Sequence, residues 1–131
     1  MFEKTIAPRF CETDALGHVS NTTLPIWFED ARQPVFELFT PDLDLSNWPL
    51  ILARFEIDFR AQIYYGQDVT LKTGISKLGN SSLEVYQEAW QNGILAATGK
   101  TVLVHFDYQN QSKAPIEGQL RTLLAQHLVE V

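Results

Sequence analysis

Cysteine occurs once in the 131 residues, at Cys11, so no disulfide can close within the chain. With one cysteine and three histidines, no segment carries the paired spacing of a structural zinc site, and neither a metal nor an organic cofactor is expected. Positive charge is scarce as well: 10 Lys and Arg stand against 16 Asp and Glu, a formal net charge of −6. That balance offers no general attraction to phosphate backbones, so no nucleic-acid partner is expected. No apolar run approaches the ~18 residues of a membrane span, and the start Met1-Phe2-Glu3-Lys4-Thr5 is not that of a signal peptide. A soluble, cytoplasmic protein without a membrane span is the expectation. Glycine and proline gather into no linker and no repeat divides the chain, so a single domain over residues 1–131 is expected. Hydrophobic residues make up 45% of the chain, enough to build one core.

The apolar residues fall into two periods. Residues 2–12 are mixed and strand-like, and Glu12 to Asn21 is rich in turn and cap formers. Leu24, Trp27, Phe28, Ala31, Val35 and Leu38 then recur at helical spacing, which predicts a long helix over 22–39. Asn21, Thr22 and Thr23 are all good N-caps, and Pro25 fits a first turn. Pro34 should remove one hydrogen bond and crowd the carbonyl of Asp30, predicting a kink or an early stop. Thr40 to Pro49 reads as a loop.

From Ala53 the period becomes two: Ala53, Phe55, Ile57, Phe59, Ala61 and Ile63 alternate with polar residues, which predicts a long half-buried strand. Tyr65-Gly66-Gln67-Asp68, Leu78-Gly79-Asn80-Ser81 and Gln91-Asn92-Gly93 mark turns between three more strands, the last running from Ile94 to Asp107. Its end, Val102 to Phe106, is apolar on both faces. Leu120, Leu123, Leu124, His127, Leu128 and Val131 form a second helical stripe. The order predicts an α+β fold, with an antiparallel sheet wrapped around the long helix. Val102 to Phe106 is expected to be an apolar edge through which a homodimer forms, with a dimer of dimers as a further step.

Chemistry concentrates between the first strand and the helix. Asp14, Gly17, His18 and Asn21 lie within eight residues, ahead of a helix N-terminus. The first N–H groups of a helix are unpaired and carry about half a positive charge together, so they suit an oxygen on which negative charge develops. A carboxylate beside them can attack a carbonyl or activate a water. On spacing alone, Asp14 and Asn21 are equally well explained as caps.

The run Arg9-Phe10-Cys11-Glu12-Thr13-Asp14-Ala15-Leu16-Gly17-His18-Val19-Ser20-Asn21, followed by Trp27-Phe28-Glu29-Asp30-Ala31-Arg32, resembles the hotdog-fold acyl-CoA thioesterases of the 4-hydroxybenzoyl-CoA thioesterase family. The resemblance extends through Glu56-Ile57-Asp58-Phe59, Tyr65-Gly66-Gln67-Asp68, Lys77 to Ser82 and Thr101 to Asp107. It implies a hotdog fold, a five-stranded antiparallel sheet around a long central helix. It implies hydrolysis of a thioester to a free acid and CoA, or release from an acyl-carrier protein, with Asp14 as nucleophile or general base. The helix-start amide that polarises the carbonyl falls at Asn21, and His18 matches the family histidine, in a direct or a loop-orienting role. The turn of Lys77, Gly79, Asn80, Ser81 and Ser82 resembles the stretch along the pantetheine arm. Gly17 and Trp27 complete the implied substrate-binding set, with the acyl group near Trp27 and Phe28. Glu29 resembles the family's helix carboxylate, although an acid that is solvated or paired with Arg32 fits equally. Arg54, Arg60, Lys72, Lys77 and Lys100 are candidates for the CoA phosphates. Two rival readings are a non-catalytic acyl-CoA or acyl-carrier-protein binder and a hotdog hydratase.

Overall fold

The structure, a computed structural model, describes residues Met1–Val131. Its elements in chain order are β1 (Phe2–Ile6), α1 (Thr23–Ala31), α2 (Gln33–Phe39), β2 (Leu50–Phe59), β3 (Val69–Leu78), β4 (Ser82–Gln91), β5 (Ile94–Asp107), β6 (Ser112–Lys113) and α3 (Gly118–Ala125). Strands β1 to β5 form one antiparallel sheet in the order β1-β3-β4-β5-β2, and the short β6 hooks onto the end of β5. β3, β4 and β5 are sequential neighbours because tight turns join them. Asn92 and Gly93, with φ of 53° and 73°, supply the left-handed pair that a two-residue hairpin needs.

The sheet curls over the helices, as the α+β reading expects. Leu24, Trp27, Phe28 and Ala31 of α1 pack with Val69, Leu71, Ala89, Ala96 and Ala97. Val35 of α2 packs with Ile75, Leu83, Val85, Leu103 and Leu124 in a second cluster. Each large side chain fully buried here contributes about 1.5–3 kcal/mol. Close packing also fixes Gly99 on β5, where an added Cβ would stand 3.0 Å from the ring of Phe28.

The expected helix over 22–39 is two helices. α1 ends at Ala31, Arg32 bridges at φ −78° and ψ −7°, and Pro34 lies in the first turn of α2, where its missing N–H costs nothing. Val35 N–H donates to Arg32 O rather than to Ala31 O. The freed Ala31 carbonyl accepts from the Thr73 hydroxyl at 3.2 Å, and Gln87 donates to Phe28 O at 2.9 Å. Buried sheet side chains thereby satisfy the C-terminal end of α1. Val35 stays fully buried across the break, while Leu38 is half-buried.

Four other expectations change. The first strand stops at Ile6, and Phe10–Glu12 forms a 3-10 turn. The C-terminal stripe is helical only to Ala125; beyond it His127 O and Val129 N–H bond to Ile75, an extended segment laid against β3. Finally, Val102 to Phe106 is not an edge. β5 is paired on both sides, by β4 and by β2, so the free edges belong to β1 and β2. β2 is not half-buried in this chain either, for Leu52, Phe55 and Phe59 are about half exposed.

Candidate active site

Asp14 opens a tight turn that its own side chain closes. Oδ1 accepts from the N–H groups of Leu16 at 2.8 Å and His18 at 3.1 Å, and Gly17 takes φ +80° to complete the turn. Thr13 and Val19 pair across it, and Val19 N–H donates to Ile63 O at 2.7 Å, docking the loop on the segment after β2. Oδ2 of Asp14 makes no hydrogen bond within the chain. The carboxylate is therefore oriented through one oxygen and open through the other.

Glu12 straps this loop to α1. Its buried carboxylate accepts from Arg9 N–H at 2.7 Å and the Trp27 indole at 2.8 Å, and its carbonyl accepts from Ser20 N–H at 2.8 Å. Burial pushes the Glu12 carboxyl up, but hydrogen bonds from the Arg9 backbone, the Trp27 indole and the Arg9 guanidinium outweigh it and hold the group below the usual carboxylate range. Sequence reasoning passed over Glu12. Its signal was an acid two residues before Asp14 and fifteen before a tryptophan, a pairing visible only once the loop folds back on the helix.

Helix α1 begins at Thr23, preceded by Ser20-Asn21-Thr22. The Ser20 hydroxyl meets the Thr22 hydroxyl at 2.9 Å and Thr23 N–H donates to Ser20 O, so Ser20 makes the local cap bonds that the sequence suggested for Asn21. The N–H of Asn21 has no acceptor in the chain. Asp14, Ser20 and Asn21 line one open groove of about 640 Å³ between the head of α1 and the ends of β2 and β5. Leu24, Phe59, Ala96 and Ala97 give it an apolar floor, and Arg60 stands at it as a cation. The groove is thus lined by an aspartate, by Asn21 with its unbonded N–H two residues before α1, and by apolar side chains.

The remaining candidates are dispersed. The His18 ring packs edge-on against Tyr64 at 5.1 Å and does not line the groove. Gly17 shapes the turn without lining the groove. Trp27, expected near the acyl group, lies in the core with its indole on Glu12. Phe28 is fully buried at Gly99. The turn of Lys77, Gly79, Asn80, Ser81 and Ser82 caps the other end of β4: Ser82 pairs with Val104, whereas the groove lies at Ala97, about 24 Å away along β5 at strand rise. That turn instead holds down the C-terminal region, with Asn80 O accepting from Ile116 N–H and Gly79 O from Arg121. Within one chain it does not line the groove at Asp14. Glu29 forms no ion pair with Arg32 and lies outside the groove.

Among the five basic candidates, Lys72 is occupied with Glu3 and the Trp90 ring, Arg54 with Glu56, and only Arg60 lines the groove. No group of three or more His, Cys, Asp or Glu side chains is gathered to hold a metal ion. A second hollow, of about 800 Å³, lies at the opposite end, between the 40–49 loop and the end of β5. Its one carboxylate, Asp107, is spent on Gln109 and Asn110.

A curled antiparallel sheet around a broken central helix, with a carboxylate-bearing loop at the helix start, defines a hotdog protein of the thioesterase type. The chain matches the thioesterase-like superfamily over residues 8–124 and belongs to it. It is similar to the structure of a predicted thioesterase from Bacillus stearothermophilus, with 45% identity over 99% of this chain and 98% of that one and a TM-score of 0.95. It is also similar to a thioesterase from Thermus thermophilus complexed with coenzyme A and zinc, at 31% identity, 93% and 95% coverage and a TM-score of 0.83. Among curated proteins it is similar to the uncharacterized Bacillus subtilis protein YsmA, 27% identical over 85 residues, which are 65% of this chain and 58% of that one.

Proposed function

We propose that this chain hydrolyses acyl-CoA thioesters to a free acid and CoA, with Asp14 as the reacting carboxylate and Asn21 N–H polarising the thioester carbonyl. The observation that carries this reading is that Asp14 and Asn21, whose N–H has no acceptor in the chain, line the same groove. Two N–H donors on Oδ1 fix the carboxylate, leaving Oδ2 to attack the carbonyl carbon or to take the proton of an attacking water. Charge then grows on the carbonyl oxygen, where a helix-start N–H costs no reorganisation. Collapse of the tetrahedral adduct expels the thiolate. Arg60 is the residue proposed to meet the phosphates of CoA.

The site is proposed to be completed by a second copy of this chain. β2 presents an unpaired edge together with Leu52, Phe55 and Phe59, and its end forms one wall of the groove. Antiparallel pairing of β2 with its copy would extend the sheet and cover that stripe. A partner's Lys77 to Ser82 turn would then be the one available to the pantetheine arm.

One observation favours a second reading. The bonds from Leu16 and His18 to Asp14 Oδ1 are those of a turn former, which a non-catalytic acyl-CoA binder would keep as well. Thiol release from a series of short, long and aromatic acyl-CoAs separates the two. Release that disappears in Asp14→Asn supports hydrolysis by Asp14, whereas acyl-CoA binding without release from the wild type supports the binder.

A further inference from the structure

Gln91, the last residue of β4, is only 6% exposed, and its amide is spent on the backbone of the segment that connects β2 to β3. Its Oε1 accepts from Tyr64 N–H at 2.9 Å, and its Nε2 donates to Tyr64 O at 2.9 Å and to Gln67 O at 3.0 Å. A carboxamide can hold a residue by both its N–H and its C=O because it carries an acceptor and two donors side by side. Arg60 and Ala61 N–H still bond to Ala96 O on β5, but from Gln62 to Asp68 the sheet holds the backbone by hydrogen bonds from Gln91 alone. Ile63 is buried in the core and anchors the segment as well, yet apolar burial is non-directional and leaves the aim of the neighbouring peptides to Gln91.

The other edge of the same segment carries the Asp14 turn. Tyr64 and His18 form an antiparallel bridge, in which Val19 N–H donates to Ile63 O at 2.7 Å and Tyr65 N–H to Gly17 O at 3.3 Å. His18 in turn holds Asp14 twice, for its carbonyl accepts from Asp14 N–H at 2.8 Å and its N–H donates to Asp14 Oδ1 at 3.1 Å. Gln91 and Asp14 thus stand on opposite sides of one short ladder and are joined through Tyr64 and His18. Ile63 and Val19, the chain neighbours of those two, line the groove, whereas Gln91 does not. Glu12 ties the loop to α1 and Gln91 ties it to the sheet, so the turn is fixed from two sides.

We propose that Gln91 is a positioning residue for thioester hydrolysis, one that holds the Asp14 carboxylate in place through Tyr64 and His18 without touching the substrate. This rests on the reading of Asp14 as the reacting carboxylate. Without the amide, the Tyr64 peptide is free to turn, and the ladder that sets Asp14 relative to Asn21 moves with it. A reacting group displaced by about 1 Å can lose up to about 10² in rate while the substrate still binds, so the loss falls on kcat.

The test measures acyl-CoA hydrolysis well below each variant's unfolding midpoint. Gln91→Met, which keeps the length of the side chain and lacks the amide, should lower kcat about tenfold with KM changed less than about twofold. Gln91→Asn, which keeps the amide on a stem one methylene shorter, should lower kcat by only about threefold. Ile75→Ala, sealed in the core on the other flank, should keep the wild-type kcat although it loses stability. Wild-type kcat in folded Gln91→Met, or an equal fall in Ile75→Ala, overturns the proposal. Should Gln91→Met fail to fold, Gln91→Asn is read the same way, and an undiminished kcat there overturns it. Amide hydrogen exchange of Leu16 and His18, the donors to Asp14 Oδ1, gives a readout independent of turnover and should be about tenfold faster in the Gln91 variants. If wild type hydrolyses no acyl-CoA but the exchange quickens, the positioning of the turn stands and the thioesterase reading falls. Unchanged exchange overturns the positioning itself.

Discussion

The central helix pair has two unlike flanks. On one, α1 and α2 lie against β3 and β4, and Val35, Leu71, Ile75, Leu83 and Val85 are sealed completely. On the other, between α1 and β2, the same kind of alternating strand leaves Leu52, Phe55 and Phe59 about half exposed, and the groove opens at its end. β2 and β4 are both ten residues long, and β4 buries what β2 leaves bare. An alternating pattern thus reports which face a residue takes; coverage depends on what lies over that face. The closed flank stores stability and the open flank offers binding surface, so substitutions on the two should separate folding from function.

The largest effect is expected at the head of the open flank. Asp14→Asn keeps an acceptor for the Leu16 and His18 N–H groups but removes the base, so kcat should fall by ~10² or more while the thermal midpoint holds. Steady-state thiol release and calorimetry on the same preparation check both halves. Wild-type turnover in that variant would remove Asp14 from the chemistry. Asn21→Ala, which keeps the backbone N–H, should lose far less.

On the closed flank, Ile75→Ala should cost about 2–5 kcal/mol in denaturant unfolding, through lost burial and an unfilled cavity. Half-buried Leu38→Ala should cost less. Equal losses at the two positions would erase the distinction drawn between sealed and partly open packing.

At the β2 edge, Phe55→Lys should shift sedimentation from dimer toward monomer with little change in the protomer's secondary structure, because the ring is half exposed in the single chain. A wild type that sediments only as monomer at micromolar concentration would show that the open flank stays open, and the groove would have to work with the walls of one chain.

The smallest effect is a pH dependence. The folded Glu12 carboxyl sits below its ordinary value of 4.5, so its contribution to stability is present above that value and is lost as pH falls through the lower folded pKa. Unfolding free energy followed from pH 6 downward should fall less steeply in Glu12→Gln than in wild type. Identical slopes would mean that the strap holds the loop without charge.

Much of this molecule was legible before folding. The helical stripe from Leu24 to Leu38, the four consecutive strands and the loop ahead of α1 follow from local period and turn chemistry, and the resemblance around Asp14 led to the family. The break after Ala31 was legible only as a disturbance at Pro34, because the side chains that donate to the Ala31 and Phe28 carbonyls, Thr73 and Gln87, come from strands about forty and sixty residues away. The apolar end of β5 looked like an edge because its sequence cannot say that β2 would cross the sheet to pair there. Arg32 looked like a surface partner for Glu29 for the same reason.

Period, caps and turns are written into the sequence because they arise among residues a few positions apart. By itself the sequence therefore determined the α+β class, the order of the elements and the placing of Asp14 just before a helix start. Strand order, the free edge at β2, the core placement of Trp27, the isolation of Arg32 and the distance of the Lys77 to Ser82 turn were decided only by tertiary structure. Each depends on which remote segments share a surface, and that is settled by packing the whole apolar set at once.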